Sequence, residues 1–294
     1  MLKPNLRFMS TNPITLPLNL EDDFPFKDKF DHLVSILKGY PDFCLAFSGG
    51  VDSAFLMAAA KVAGLDRILA VTIVSQFFTQ KEKKRAREFA SSLAVEHLVL
   101  DLDILGQPKV IQNDSKRCYF CKHRAFSMIK VAAKEKGIVT LVHAINQDDL
   151  GDYRPGIEAA KELGFKSPLV EAKFTKQEIR DCSKKLGLST WNLPSQSCLA
   201  TRIPTGETIT EEKLSMIEQA EGVLHDLGLS GVRVRCHGDL ARIETGPDGF
   251  DVLIDLDVRQ KVSSSFKRIG FEFVSLDLGG YVSGRMNLTK TDTE

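Results

Sequence analysis

The chain has 294 residues, 43% of them hydrophobic, enough to bury a substantial core and a length that points to two domains. Lys plus Arg and Asp plus Glu both total 39, so the formal net charge is zero and no overall field draws in nucleic acid or an anionic membrane. The longest apolar runs are strand-sized, far below the roughly 20 residues of a membrane helix, and no signal-peptide core occupies residues 1–20. A cytoplasmic protein with neither membrane nor nucleic-acid partner is expected.

Residues 1–20 are polar and proline-interrupted, the pattern of an N-terminal arm. From Phe26 onward, Phe30, Leu33, Ile36 and Leu37 fall on one helical face. That helix leads into the apolar run Phe43 to Phe47, which ends at Ser48-Gly49-Gly50. A helix over about 53–62 precedes a second apolar run at 68–75, and Thr79 with Glu82 has the spacing of a capping box for the next helix. Further strands are expected at 95–100 and 140–145. Strands alternating with helices predict an α/β fold, a doubly wound parallel sheet over residues 21–200. Beyond Cys198 the texture changes: a helix at 211–226, strands at 231–237 and 241–245, a helix at 249–267 and a strand at 272–276 predict a smaller α+β domain over 201–294.

The segment Ser48, Gly49, Gly50, Val51, Asp52, Ser53 lies between a buried strand and a helix start, where backbone N–H groups and the helix dipole favour a phosphate. Glycines permit close backbone approach and the serine hydroxyls add donors. Asp52 would act through Mg²⁺ or by pinning the loop. The lysine and spacing of a Walker A loop are missing. SGGVDS resembles the signature of the PP-loop ATP pyrophosphatases, which cut ATP between the α and β phosphates. Ligands of such sheets sit at the carboxyl ends of the strands, so Ser75 is a candidate for the adenine or ribose, or equally a strand-end cap.

The six cysteines divide into two groups. Cys44, Cys182 and Cys236 follow apolar periodicities and are expected in cores. Cys118 and Cys121 form a CxxC at the start of a helical pattern, and Cys198 lies on a loop near the domain junction. A CxxC alone is compatible with zinc, a redox pair or an iron–sulfur site. Neither a second CxxC nor an HxxxH pair completes a zinc set, whereas three thiolates would leave one iron of a cubane cluster open. Arg233, Arg235 and His237 alternate onto one strand face, predicting either a cationic surface for a phosphate or a solvated edge. Asp148, Asp149, Asp152 and Arg154 crowd one loop without a defined role.

SGGVDS, RCYFCK at 117–122, NQDDLGDYRPG at 146–156, SPL at 167–169, TKQEIR at 175–180, SCLATRIPTG at 197–206 and VRVRCHGDLARIE at 232–244 together resemble the LarE family of ATP-dependent sulfur transferases. The resemblance covers about residues 25–280. It implies adenylation of a carboxylate on pyridinium-3,5-biscarboxylic acid mononucleotide, loss of pyrophosphate, and replacement of AMP by sulfur for nickel-pincer nucleotide synthesis. In one branch of the family a cysteine matching Cys198 gives up its own sulfur. The CxxC resembles the other branch, in which three cysteines, here Cys118, Cys121 and Cys198, hold a 4Fe-4S cluster that carries sulfide. The resemblance further implies binding of the substrate phosphate by Arg202, Arg233, Arg235, Glu244 and Glu221, and a homo-oligomer. Competing readings are a tRNA thiolase with a cluster, an ammonia-dependent amide ligase and a nucleotide-binding protein without catalysis.

Overall fold

In the computed structural model, which describes residues 23–151, 155–194 and 197–282, the apolar stripe at Phe30, Leu33 and Leu37 is the buried side of helix α1 (Lys27–Lys38). The arm expected at 1–20 lies outside the described residues. The chain then runs through β1 (Phe43–Ala46), α2 (Val51–Val62), β2 (Ile68–Val74), α3 (Gln80–Ser92), β3 (Glu96–Asp101), α4 (Pro108–Ile111), α5 (Arg117–Glu135) and β4 (Leu141–Val142). All pairings among these strands are parallel and their order is β3-β2-β1-β4. Every residue of β2 is buried, the signature of a parallel strand covered on both faces. The chain winds outward from β1 through β2 to β3, then returns to the other side of β1 with β4. That reversal puts the topological switch point, where such sheets bind ligands, at the carboxyl end of β1.

The last strand is shorter than the apolar run at 140–145. Past Val142 the outer side of the chain meets Lys166 in an isolated bridge, His143 N donating to Lys166 O at 3.0 Å, so no continuous ladder forms there. Helices α6 (Pro155–Glu162), α7 (Pro168–Glu171) and α8 (Lys176–Lys185) follow. Helix α8 starts at a full capping box, Thr175 accepting from Glu178 N while the Glu178 carboxylate accepts from Thr175 N.

Two compact units divide the described chain. The first comprises the described parts of Met1–Ser75, Gln80–Leu102 and Cys118–Ser195; the second comprises Gln76–Thr79, Asp103–Arg117 and the described parts of Gln196–Glu294. The second unit contains α9 (Glu211–Asp226), β5 (Arg233–His237), β6 (Leu240–Glu244), α10 (Pro247–Ile254), α11 (Leu256–Ile269) and β7 (Phe273–Leu276). Its sheet is mixed: β5 and β6 pair antiparallel, β6 and β7 parallel. The single helix expected at 249–267 is broken at Asp255, whose carboxylate accepts from Asp257 N at 3.0 Å and Val258 N at 3.1 Å. An aspartate in extended geometry satisfies the first N–H groups of α11 and so ends α10, which apolar periodicity alone does not register. No helix among the described residues is long and apolar enough to cross a membrane.

Candidate active site

The phosphate loop leaves β1 and enters α2 directly. Gly49 adopts φ +71°, and a Cβ there would lie 2.9 Å from the Ala86 Cα on α3, so both conformation and space demand glycine. Helix α2 begins after Gly50 with no side-chain cap, leaving the N–H groups of its first turn facing the loop. The two serines do more than offer donors: their hydroxyls lie 3.1 Å apart, Ser48 Oγ accepts from Gly50 N at 3.3 Å, and Ser53 Oγ donates to Gly50 O at 3.2 Å. These bonds fix the shape of the loop. Behind it, Thr72 Oγ1 donates to Phe47 O at 2.7 Å, tying the end of β1 to β2. Ser75 is buried and follows β2 directly, on the same sheet edge as the loop.

Asp52, the second residue of α2, does not stand alone. Its Oδ2 meets Lys176 Nζ at 2.5 Å and its Oδ1 accepts from Asn146 Nδ2 at 3.4 Å. Asn146 is itself buried and fixed in a tight turn: its N donates to Asp149 Oδ2 and its Oδ1 accepts from Asp148 N, both at 3.0 Å. The acidic loop thus has a definite part to play, since Asp148 Oδ2 also accepts from Lys176 N at 2.8 Å. Asp152 and Arg154 lie outside the described residues. From α3, Arg85 Nε donates to Gly49 O at 3.2 Å. Sequence reasoning missed Lys176, Asn146 and Arg85. The first two sit inside the quoted strings TKQEIR and NQDDLGDYRPG, and that was the only signal for them.

In the second unit the structure gathers Arg202, Glu221, Arg233, Arg235 and Glu244. The cationic face read on β5 is not a solvated surface, for Arg233 is 6% exposed, Arg235 4%, Arg202 4%, Glu221 5% and Glu244 0%. Both faces of β5 are covered, Val234 and Cys236 on one and the arginines on the other. Buried charges need partners, and these have them. Arg202 grips Glu221 in a bidentate pair at 2.9 and 3.1 Å; Arg235 donates twice to Glu244 Oε2, at 2.9 and 2.7 Å, while Arg242 reaches Glu244 Oε1 at 3.1 Å. Arg233 donates to Val232 O at 2.8 Å and lies 5.1 Å from the Tyr281 ring centre. Burial, then the Arg202 guanidinium, lowers its pKa. Three arginines meet two glutamates here, and counting Arg242 with its neighbour Asp277 leaves the same excess positive charge. His237 is only half-buried, and burial followed by the Arg242 charge lowers its pKa.

Arg202 is also bound to the loop that bears Cys198. Its Nη1 donates to Ser197 O at 2.6 Å, Cys198 O at 3.0 Å and Thr201 Oγ1 at 3.1 Å, and Arg235 Nη1 donates to Thr201 O at 2.9 Å. Cys198 precedes the short 3-10 helix Leu199–Arg202 and is half-buried. Cys118 is exposed and Cys121 half-buried at the start of α5, in the first unit. By contrast Cys44, Cys182 and Cys236 are fully buried. Burial and nearby carboxylates push the Cys44 and Cys182 thiols up to about 12, and burial raises that of Cys236. The donor chemistry of the remaining three thiols suits an iron–sulfur cluster. Among the described residues, however, no three His, Cys, Asp or Glu side chains are gathered to hold a metal ion. Arg117, one residue before Cys118, donates to Ala200 O at 3.1 Å within the second unit and also bonds the Asn113 carboxamide.

A four-stranded parallel sheet with SGGVDS between β1 and α2, at the switch in strand order, defines a PP-loop α/β domain. The family described as queuosine biosynthesis protein QueC matches residues 43–116, the segment that holds this loop. Over 264 residues the chain is 35% identical to the pyridinium-3,5-bisthiocarboxylic acid mononucleotide synthase of Lactiplantibacillus plantarum, covering 89% of this chain and 95% of that protein. The chain belongs to the LarE family, that of this synthase. It is also 38% identical to an uncharacterized protein of Synechocystis, over 84% of this chain and 92% of the relative, and 28% identical to an uncharacterized protein of Methanocaldococcus jannaschii, over 81% and 90%.

Proposed function

We propose that the protein is a cytoplasmic ATP-dependent sulfur transferase that adenylates a carboxylate of pyridinium-3,5-biscarboxylic acid mononucleotide and replaces AMP with sulfur. The observation that carries this reading is the SGGVDS loop, with its uncapped helix, at the carboxyl end of β1. There Ser48, Gly49, Gly50 and Ser53 take the phosphates, Asp52 faces the magnesium ion that accompanies ATP, and Ser75 borders the nucleoside. A substrate carboxylate oxygen bonds to the α phosphorus and pyrophosphate leaves. Sulfide sulfur then bonds to the acyl carbon, the carbon–oxygen bond to AMP breaks, and a thiocarboxylate remains.

The substrate phosphate is assigned to the second unit, where the excess charge of Arg202, Arg233 and Arg235 over Glu221 and Glu244 favours an anion. Arg202 contributes to this site chiefly by shaping it, given how many of its donors already serve Glu221 and the Cys198 loop. Cys118, Cys121 and Cys198 are proposed to hold a 4Fe-4S cluster, whose open iron would supply a seat for sulfide. All three thiols are kept out of the cores that bury the other three. A homo-oligomer is the expected assembly.

Mass analysis of the nucleotide product decides the first half: AMP and pyrophosphate are expected, and ADP overturns it. For the second half, Cys118→Ala is expected to abolish the visible absorption of the anaerobic protein and repeated turnover with sulfide. Full activity in that variant, with loss of one sulfur mass at Cys198 per active chain, overturns the cluster.

A further inference from the structure

A chain of side-chain bonds crosses three strands of the parallel sheet and ends at the phosphate loop. Just beyond β1, Phe47 N donates to Val71 O at 2.9 Å, while the Phe47 carbonyl accepts from the Thr72 hydroxyl of β2 at 2.7 Å. The same hydroxyl lies 2.8 Å from Nε2 of His97 on β3. The register of β2 with β3 puts Thr72 and His97 on one face of the sheet, where the Phe47 ring meets the imidazole edge-on at 5.8 Å and Phe89 of α3 lies 6.1 Å from Phe47. A polar ring among phenylalanines costs stability unless it is bonded. Val99, next on the same face of β3, shows that an apolar side chain could take such a place.

The bonds also determine where the imidazole hydrogen sits. A threonine hydroxyl has one proton, and Thr72 gives it to Phe47 O, so toward His97 its oxygen can only accept. His97 Nε2 therefore carries hydrogen. Burial and then the Arg87 charge lower the pKa of His97 to about 4, so at neutral pH the ring is uncharged and Nδ1 is bare.

We propose that His97 is a positioning residue of the phosphate loop: its Nε2–H keeps the Thr72 hydroxyl turned toward Phe47 O and so fixes the peptide that opens the loop, an inference that rests on the reading of the loop as an ATP site. That peptide joins Phe47 to Ser48. It is planar and trans, so holding its carbonyl toward β2 sets the direction in which the Ser48 N–H leaves on the other side. Without the imidazole donor the Thr72 hydroxyl is free to rotate, and the Phe47 carbonyl loses a fixed partner just where the ladder of β1 has ended. His97 does not touch the nucleotide and transfers no proton. It acts through Thr72 alone.

The test uses the full-length protein and a double-mutant cycle of His97→Leu and Thr72→Val, with His97→Gln as the variant that keeps an N–H donor. Calorimetric titration with magnesium–ATP reads the affinity, and urea denaturation reads the stability of each variant. His97→Leu is expected to lose about fivefold in affinity when Thr72 is present and less than about twofold in the Thr72→Val background, while His97→Gln recovers most of the loss. Equal losses in both backgrounds, or a fall in stability with ATP affinity unchanged, make His97 a packing residue and overturn the proposal. Should His97→Leu fail to fold, His97→Phe supplies the same arm of the cycle. Long-range proton–nitrogen spectra of the ¹⁵N-histidine-labelled wild type give a second reading at neutral pH: hydrogen on Nε2 of His97 is expected, and hydrogen on Nδ1 alone overturns the proposal. A wild-type protein that binds no magnesium–ATP removes the reading of the loop itself, which distinguishes that failure from the failure of the histidine alone.

Discussion

The phosphate loop and the arginine network both suit anions, yet they are built from opposite materials. The loop uses backbone N–H groups, two glycines and two short hydroxyls, with charge confined to its edge at Asp52 and Lys176. The network in the second unit buries whole guanidinium and carboxylate groups and pairs Arg202 with Glu221 and Arg235 with Glu244, leaving one positive charge in excess. A neutral cradle spends little stability on being empty. A charged one is stable only while each buried charge keeps its counterpart, so it constrains the fold around it as much as it selects a ligand.

The sharpest way to break the comparison is Glu244→Ala. Glu244 is fully buried between Arg235 and Arg242, and removing it leaves uncompensated buried charge. A loss of about 3–5 kcal/mol is expected in urea denaturation of the intact chain. A loss below about 1 kcal/mol would show that the network is solvated and built no differently from the loop.

Next in size is an acid effect on the first unit. His143 is buried beside Phe126 and Phe165 with Ser167 Oγ 2.7 Å from its Nε2, and burial, then the Lys122 charge, brings its pKa down to about 4. An unfolded histidine titrates near 6.5, so between these values the unfolded chain binds more protons. The stability it confers is therefore complete above about pH 6.5 and is lost as pH falls toward 4, by about 3 kcal/mol at the lower limit. His97, lowered to about 4 by burial and then by Arg87, acts in the same direction. Urea midpoints at pH 7.5 and pH 5 check this, and His143→Gln should flatten the profile. An unchanged slope in that variant would assign the acid sensitivity elsewhere.

The smallest effects separate backbone from side chain within the loop. Gly49→Ala forces a Cβ against the Ala86 backbone at positive φ, for a cost of about 2 kcal/mol and a tenfold or greater loss of ATP affinity. Ser48→Ala removes one hydroxyl from a loop whose N–H groups remain, so a change of only about 1 kcal/mol is expected. Calorimetry with ATP ranks the two, and the reverse order would mean that side chains and not the backbone carry the phosphate.

The two sites differ just as much in how far the sequence reveals them. Six consecutive residues between a strand and a helix carry the loop, so chemistry and local structure are read from one window. Arg202 and Glu221 are 19 residues apart and belong to a turn and a helix. Their pairing follows from tertiary packing, and only the family resemblance singles them out. Alternation on β5 correctly places Arg233 and Arg235 on one face, but a period of two says which side a residue takes and nothing of what covers that side. Lys176 escapes for a similar reason: a lysine after a threonine cap reads as a solvated first turn until α8 is packed beside Asp52. The break at Asp255 escapes because a capping side chain acts over two or three residues while the helical stripe continues on both sides.

The segment Asp103–Arg117 has a consequence for how the protein is made. Asn113, fully buried with φ +56°, donates from its carboxamide to Pro204 O at 2.8 Å and to Ile203 O at 3.3 Å, 90 residues further on. Its carbonyl accepts from Gly206 N and that of Ile111 from Ile209 N, both at 2.9 Å. At a translation rate of roughly 5–20 residues per second, the ribosome needs about 5–20 s after releasing this segment to synthesise the stretch it bonds to. Through that interval the polar backbone of 111–113 stays in water, and the second unit begins to close only when its own distant half has emerged from the exit tunnel.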